Sequence, residues 1–171
     1  MNTITTIKSA CHFFKHELHE LYIDSELNQM LYISFFYLFG WSRTDVILHK
    51  EEVVSEKQMD RLMELVAQLK TSKPLAQIIG VWEFYGLQFK VNKYTLIPRP
   101  ETEELVQLIV QENKTIKQGN ILDVGTGTGC IAIALKKELK MASIDAFDVS
   151  DETLKIATEN AQNHSLNVSF N

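Results

Sequence analysis

A strand that runs into a glycine-rich loop and then a helix constrains the fold of this chain more than any other feature. An apolar strand at residues 121–124 is followed by three glycines within five residues and a helical pattern to about residue 140. A second apolar strand at 143–147 and a second helix at about 151–164 follow, and the last residues resemble a third strand. This alternating order predicts parallel strands, because a parallel connection needs a helical crossover.

The glycine loop predicts a binding site. Glycines leave space where a ligand approaches the backbone closely, since a side chain would collide with it. Asp148 ends the second strand, nineteen residues after Gly129. There its carboxylate is placed to accept hydrogen bonds from both hydroxyls of an adenosine ribose. Loop and acid together predict a site for an adenosine-containing cofactor.

The glycine spacing and a second acid favour one cofactor over another. A nicotinamide dinucleotide is bound by a Gly-x-Gly-x-x-Gly turn, but here the third glycine comes one residue early. Asp123 lies two residues before Gly125, where its charge suits an ammonium or sulfonium group and opposes a diphosphate. This pattern favours S-adenosylmethionine over NAD. Asp123 has an alternative role as a cap of the turn through backbone amides.

The first 75 residues have a different periodicity. Apolar residues recur every three or four positions, which predicts four or five amphipathic helices packed in a small bundle. Polar residues mark the starts of helices: Asp24 or Ser25, then Ser42, then Ser55 in capping-box spacing with Gln58. Between residues 80 and 97 the period becomes two, which predicts a β-hairpin. Pro98 and Pro100 end that hairpin, and helical spacing resumes at Glu101.

Three segments resemble the hinge and signature region of bacterial release factor glutamine methyltransferases. They are Lys73 to Gly80 (KPLAQIIG), Trp82 to Gly86 (WEFYG) and Ile97 to Glu103 (IPRPETE). The resemblance implies an α/β protein with an N-terminal helical bundle, a β-hairpin linker and the start of a Rossmann-like class I methyltransferase sheet, left incomplete. It divides the chain into a substrate-recognition domain at 1–75, a hinge and hairpin at 76–97, and a cofactor-binding part at 98–171.

The resemblance also implies an activity in translation termination. Members of this family transfer a methyl group from S-adenosylmethionine to the side-chain amide nitrogen of the glutamine in the Gly-Gly-Gln motif of peptide release factors. A sibling family that methylates a ribosomal-protein glutamine is the alternative, but the acidic Pro-Glu-Thr-Glu continuation is not its usual form. A second alternative is a module that only docks a release factor through the helical domain.

The cofactor residues follow from the same resemblance. Asp148 is expected to hold the ribose, and the loop is expected to hold the methionine part of the cofactor through Gly125, Thr126, Gly127, Thr128 and Gly129. Two further residues have two possible roles. Arg99 and Thr102 either bind the cofactor carboxylate or cap the helix that follows them.

The family's catalytic Asn-Pro-Pro-Tyr loop is absent from this sequence, whose only prolines are Pro74, Pro98 and Pro100. The sequence therefore predicts a fragment with no catalytic residue, inactive by itself. Too few residues follow Pro98 for a complete sheet of this fold. We expect apolar residues of the incomplete sheet to be uncovered and to cause self-association, among them Ile121, Ile131, Ile133 and Ile144.

Composition excludes several classes of function. The net charge of −5 is spread over both halves, which disfavours direct nucleic-acid binding and hence a DNA adenine methyltransferase. The sequence shows neither a secretory signal nor an apolar run of about 20 residues, and its two cysteines are far apart, so we expect a cytoplasmic protein with no membrane segment. His12 and His16 lie one helical turn apart, but we interpret them as polar-face residues and expect no metal site.

Overall fold

The computed structural model describes residues 6–113 and 118–171, and the chain separates into two compact units, Met1–Ile79 and Gly80–Asn171. In its described residues the first unit consists of helices, with one isolated β-bridge between Thr6 and Val53. Its core is formed by fully buried side chains that include Phe14, Phe35 and Leu62. The helices are α1 (Ile7–Leu18), α2 (Asp24–Phe39), α3 (Arg43–Leu48), α4 (Glu56–Leu69) and α5 (Leu75–Ile79).

The helix starts of this unit follow the sequence signals in two cases and depart from them in one. Ser42 and Ser55 each accept a hydrogen bond from the backbone three residues ahead, which confirms both caps and the capping box predicted at Ser55, and Ser42 also forms a capping box with Asp45. The predicted cap of α2 is wrong. Its N-cap is Ile23, which has no side-chain cap, and Asp24 and Ser25 lie inside the first turn. There the charge of Asp24 favours the helix through its dipole.

The second unit contains the predicted hairpin and the predicted parallel sheet. Strands β3, β4 and β5 are adjacent in that order and all parallel. This confirms the expected fold class, with an incomplete Rossmann-like sheet after a helical region. The elements are β1 (Val81–Phe84), β2 (Leu87–Lys90), α6 (Pro100–Asn113), β3 (Asn120–Val124), α7 (Cys130–Glu138), β4 (Ser143–Phe147), α8 (Asp151–Asn163) and β5 (Ser169–Phe170).

The hairpin is shorter than the sequence predicts. Tyr85 and Gly86 form its two-residue turn, both with positive φ, as in the turns that match the twist of paired strands. Strand β2 ends at Lys90, so the strand predicted up to residue 97 is wrong beyond that point. The side chain of Asn92 accepts a hydrogen bond from the amide of Tyr94 at 2.9 Å. Such local bonds compete with a strand ladder.

The parallel sheet is covered on one face only among the described residues. Ile121 and Ile144 pack into the core beneath α6 and α7, and Ile133 is fully buried. The expected exposure of these residues, and of the partly buried Ile131, is therefore wrong. The opposite face is the open one, because alternate residues of a strand point to opposite sides. Leu122 and Val124 are 65% and 71% exposed there.

Candidate functional site

The glycine loop, Gly125 to Gly129, joins the end of β3 to the start of α7. Its three glycines all have positive φ, between 58° and 79°. A methyl group at Gly125 or Gly127 would meet no atom within 4 Å, whereas one at Gly129 would lie 3.0 Å from Ile133 Cδ1 and 3.2 Å from Ala157 Cβ. Gly129 therefore allows close packing of the loop on helices. Gly125 and Gly127 leave open space in front of the backbone.

Backbone amides at the start of the loop are held by the neighbouring strand. The N–H groups of Gly125 and Thr126 both donate to the carbonyl oxygen of Phe147, at 2.8 and 2.9 Å. Phe147 is the last residue of β4. The carboxyl ends of β3 and β4 thus meet at one edge of the sheet, where ligands of open α/β sheets bind.

Asp123 lies at the start of this edge, on β3. One carboxylate oxygen accepts a hydrogen bond from the Thr126 hydroxyl at 2.8 Å. Asp123 therefore contacts a side chain. It does not bond to the backbone amides of the turn, as the capping role considered from the sequence would require. The other carboxylate oxygen has no hydrogen-bond partner within the described residues. The carboxylate therefore keeps acceptor capacity and negative charge beside the loop.

Asp148 lies directly beside the loop, as the strand order requires. One oxygen accepts from the amide of Gly127 at 3.0 Å, and the other accepts from the amide of Ser150 at 3.2 Å. A carboxylate has about four lone-pair positions, so two remain for hydroxyl donors of a ligand. The next residue, Val149, is 93% exposed and is an apolar neighbour that the sequence analysis did not single out.

Thr128 and Cys130 lie on the buried side of the loop. The Thr128 hydroxyl is buried without an oxygen or nitrogen partner in the described chain, and only the weakly bonding Cys130 thiol interacts with it. An unsatisfied buried hydroxyl costs free energy and is uncommon in proteins. Burial raises the pKa of the Cys130 thiol. This favours a packing role for Cys130 over that of an activated nucleophile.

Arg99 and Thr102 lie at the start of α6. The amide of Thr102 donates to the Arg99 carbonyl at 3.0 Å, which closes the first helical turn. The Arg99 side chain is exposed, and no side-chain hydrogen bond joins either residue to the loop over residues 6–113 and 118–171. Glu103 instead ties this helix to the hairpin, because it accepts from the Tyr85 amide at 2.8 Å.

The described part of the chain has neither a metal site nor a membrane-spanning helix. No group of three or more His, Cys, Asp or Glu side chains comes together there as a metal site. The rings of His12, His16 and His19 stack along α1, with centroids 6.1 and 5.8 Å apart. None of the helices in these residues is both long and apolar enough to cross a bilayer.

Known proteins match both units. Residues 9–80 match the PrmC N-terminal domain, and residues 101–171 match the methyltransferase small domain. The release factor glutamine methyltransferase of Flavobacterium psychrophilum is 40% identical over 92% of this chain and 56% of its own length. That of Bacteroides thetaiotaomicron is 36% identical over 99% of this chain and 58% of its own.

Among solved structures, a ribosomal protein L11 methylase from Lactobacillus delbrueckii subsp. bulgaricus is 32% identical, with a TM-score of 0.40. The match covers 47% of this chain and 42% of that protein. The chain spans little more than half the length of the two curated relatives above. Two domain matches in the expected order, with relatives of one name across nearly the whole chain, show that this chain belongs to the family of release factor glutamine methyltransferases.

Proposed function

We propose that this chain forms the S-adenosylmethionine site of an enzyme that methylates the glutamine of the Gly-Gly-Gln motif in peptide release factors. The observation that carries the proposal is the junction of Asp148 with the glycine loop at the carboxyl edge of the sheet. The names of the relatives support the substrate class. A substrate of translation termination also implies a cytoplasmic protein.

The loop suits the cofactor for several reasons. Gly125 and Gly127 leave room for a ligand against the backbone. The Thr128 side chain is buried on the other side of the loop, so Thr128 would contribute through its backbone. Asp148 would accept from the ribose hydroxyls, and Asp123 would place a negative charge near the positive end of the cofactor. Val149 offers an exposed apolar surface for a flat base. Arg99 and Thr102 would bind the cofactor carboxylate.

S-adenosylmethionine supplies an electrophilic methyl group when it is bound. An amide nitrogen is a poor nucleophile, because its lone pair is delocalised into the carbonyl, so the acceptor must be oriented. The residues of this chain would fix the donor, but the sequence has no Asn-Pro-Pro-Tyr loop to hold the acceptor amide. We therefore propose that the chain alone transfers no methyl group. The ribosomal-protein glutamine remains the alternative acceptor.

Isothermal titration with S-adenosylmethionine and S-adenosylhomocysteine tests the cofactor site. Asp148→Asn removes one charge and leaves the shape, so we expect affinity to fall about tenfold to a hundredfold. Asp151→Asn, on the exposed start of α8, is the matched control and should bind normally. Binding of NADH in place of the methionine cofactor would revive the dinucleotide alternative. Equal affinity in both variants would reject the ribose role of Asp148.

A docking role for the helical unit is a second candidate. Exposed apolar side chains favour it, since such surfaces often mark protein contacts: Ile47, Leu48 and Val53 are 55%, 71% and 76% exposed. Binding of the whole chain to a release factor, with Leu48→Asp as the variant and Leu122→Asp as the control in the other unit, tests this role. Loss of binding in Leu48→Asp alone supports docking through the helical unit. Equal binding of the unsubstituted chain and both variants rejects it.

A further inference from the structure

Asn160 is a fully buried polar residue in the last turn of α8. Burial of an amide side chain costs free energy unless its donors and acceptor are paired. Here they are paired with two separate segments. The side-chain oxygen accepts from the Lys90 amide at 2.7 Å, and the nitrogen donates to the Lys90 carbonyl at 3.1 Å and the Thr128 carbonyl at 2.9 Å.

The bond to Thr128 reaches the glycine loop from its buried side. Thr128 precedes Gly129, the N-cap of α7, so its carbonyl belongs to the peptide group that connects loop and helix. Ala157, one turn before Asn160 on α8, is, with Ile133, a residue that a methyl group at Gly129 would contact closely. The same face of α8 therefore packs under the loop and hydrogen-bonds to it.

The bonds to Lys90 reach the end of the hairpin. They satisfy the amide and the carbonyl of the last residue of β2, much as another strand would. Two further contacts hold β2 against α8. Lys90 Nζ lies 2.6 Å from Glu159 Oε2, and the Nε2–H of His164 donates to the Gln88 carbonyl at 2.7 Å. Asn160 is the member of this set that also contacts the loop.

We propose that Asn160 is a positioning residue of the cofactor site, which fixes the Thr128–Gly129 peptide and couples the glycine loop to the hairpin. The proposal rests on the cofactor role proposed above for the loop. Asn160 does not contact the ligand; it acts through the loop backbone. Without its donor group, the Thr128 carbonyl loses its partner and the loop its fixed orientation.

Asn160→Asp removes the donor group. The aspartate keeps the oxygen that accepts from the Lys90 amide and loses the nitrogen that donates to the Lys90 and Thr128 carbonyls, so the effect on the loop is read at Gly129. Asn163→Asp, on the exposed end of the same helix, is the matched control for the added charge. We expect the affinity for S-adenosylhomocysteine to fall about tenfold to a hundredfold in Asn160→Asp and to change less than twofold in Asn163→Asp.

Amide nitrogen and proton resonances of the free protein give a second measurement. The Gly129 amide shares a peptide group with the Thr128 carbonyl, so its resonance should shift in Asn160→Asp and stay unchanged in Asn163→Asp. If the unsubstituted chain binds no S-adenosylhomocysteine, the proposed cofactor role fails, while this shift still decides whether Asn160 positions the loop. An unchanged Gly129 resonance would overturn the proposal.

Asn160→Ser is a second variant that tests the proposal if Asn160→Asp does not fold. The serine is neutral and too short to reach both carbonyls, so it should give the same Gly129 shift with a folded circular dichroism spectrum. Unfolding of both variants would overturn the positioning role in favour of a purely structural one. Normal affinity in a folded Asn160→Ser would overturn it as well.

Discussion

The helical unit and the α/β unit differ in where they leave apolar residues exposed. Phe14 and Phe35 of the helical unit are fully buried, as are Ile133 and Phe89 of the α/β unit. In the α/β unit, however, Leu122 and Val124 are mostly exposed on one face of the sheet. Short helices can cover one another, whereas a parallel sheet needs cover on both faces. The helical unit therefore closes its core and exposes apolar residues such as Leu48 and Val53 on its surface, whereas the α/β unit leaves one face of its sheet uncovered among the described residues.

The two units also differ in where their backbone departs from regular structure. The helical unit starts α3 and α4 with local capping boxes, which involve residues three positions apart. The α/β unit concentrates positive φ angles in the glycine loop and holds that loop with Asp148 and Asn160, both distant in sequence. Irregular backbone held by remote groups is typical of binding sites.

The largest expected effect tests whether the two units unfold separately. Phe14→Ala should lower the free energy of unfolding of the helical unit by about 3–5 kcal/mol, because a buried ring is lost and a cavity remains. The two tryptophans report on the units one by one, since Trp41 packs against the helical core and Trp82 lies in β1. Urea unfolding in Trp82→Phe and Trp41→Phe backgrounds measures each transition.

We expect only the transition seen by Trp41 to move to lower urea in Phe14→Ala. Ile133→Ala is the reciprocal control in the α/β unit and should move only the transition seen by Trp82. Equal shifts of both signals in either variant would show that the two units unfold together. The different packing of the two units would then not give them separate free energies of unfolding.

The next effect concerns the close packing under the glycine loop. Gly129→Ala should lower the free energy of unfolding of the α/β unit by about 2–3 kcal/mol, from the positive φ and the short contacts with Ile133 and Ala157. Gly86→Ala is the control, because its φ is also positive but a methyl group there meets no atom within 4 Å. It should cost about 1 kcal/mol. Equal losses would mean that the close approach at Gly129 is unimportant.

Self-association of the open sheet face has a smaller expected effect. Leu122→Lys should weaken self-association by about tenfold, equivalent to about 1.4 kcal/mol. The substitution places a charge on exposed apolar surface of β3, which is an edge strand of the described sheet. Sedimentation equilibrium over a range of protein concentrations measures this change. Leu48→Lys, at a similarly exposed position of the helical unit, is the control. A mass that stays monomeric in the unsubstituted chain would reject the expected self-association.

The parts of the fold that the sequence predicts are those set by local pattern. The strand and helix order around the glycine loop follows from periodicity, and the caps at Ser42 and Ser55 follow from side chains that bond within one turn. The cap of α2 is different, because Ile23 follows the turn that closes α1 and an isoleucine side chain cannot accept a capping hydrogen bond. Residues 91–97 do not continue the strand, because Asn92 and Lys93 begin a turn in which the Asn92 side chain accepts a hydrogen bond from the Tyr94 amide.

The candidate site also has parts that the sequence predicts and parts that it does not. Asp148 and the loop are predictable because strand ends of a parallel sheet meet at one edge. Asn160 is not, since an asparagine in a polar-looking helix gives no signal of burial, and its partners are 32 and 70 residues away. The expectation from the sequence puts the open face on the wrong side of the sheet, because the sequence does not show which side α6 and α7 cover.

The last prediction tests how closed the helical core is near Cys11. Burial raises the pKa of the Cys11 thiol to about 11 from an ordinary value of 9.0. The folded state then holds the thiol proton more tightly than the unfolded state, so the stabilisation is present below pH 9 and is lost as pH rises towards 11.

Cys11→Ala removes this dependence. Other groups titrate equally in both proteins, so the difference between their Trp41 urea midpoints should change between pH 8.5 and 10.5. A constant difference would show that solvent reaches the thiol, and that the helical unit is open at one more place than its buried phenylalanines suggest.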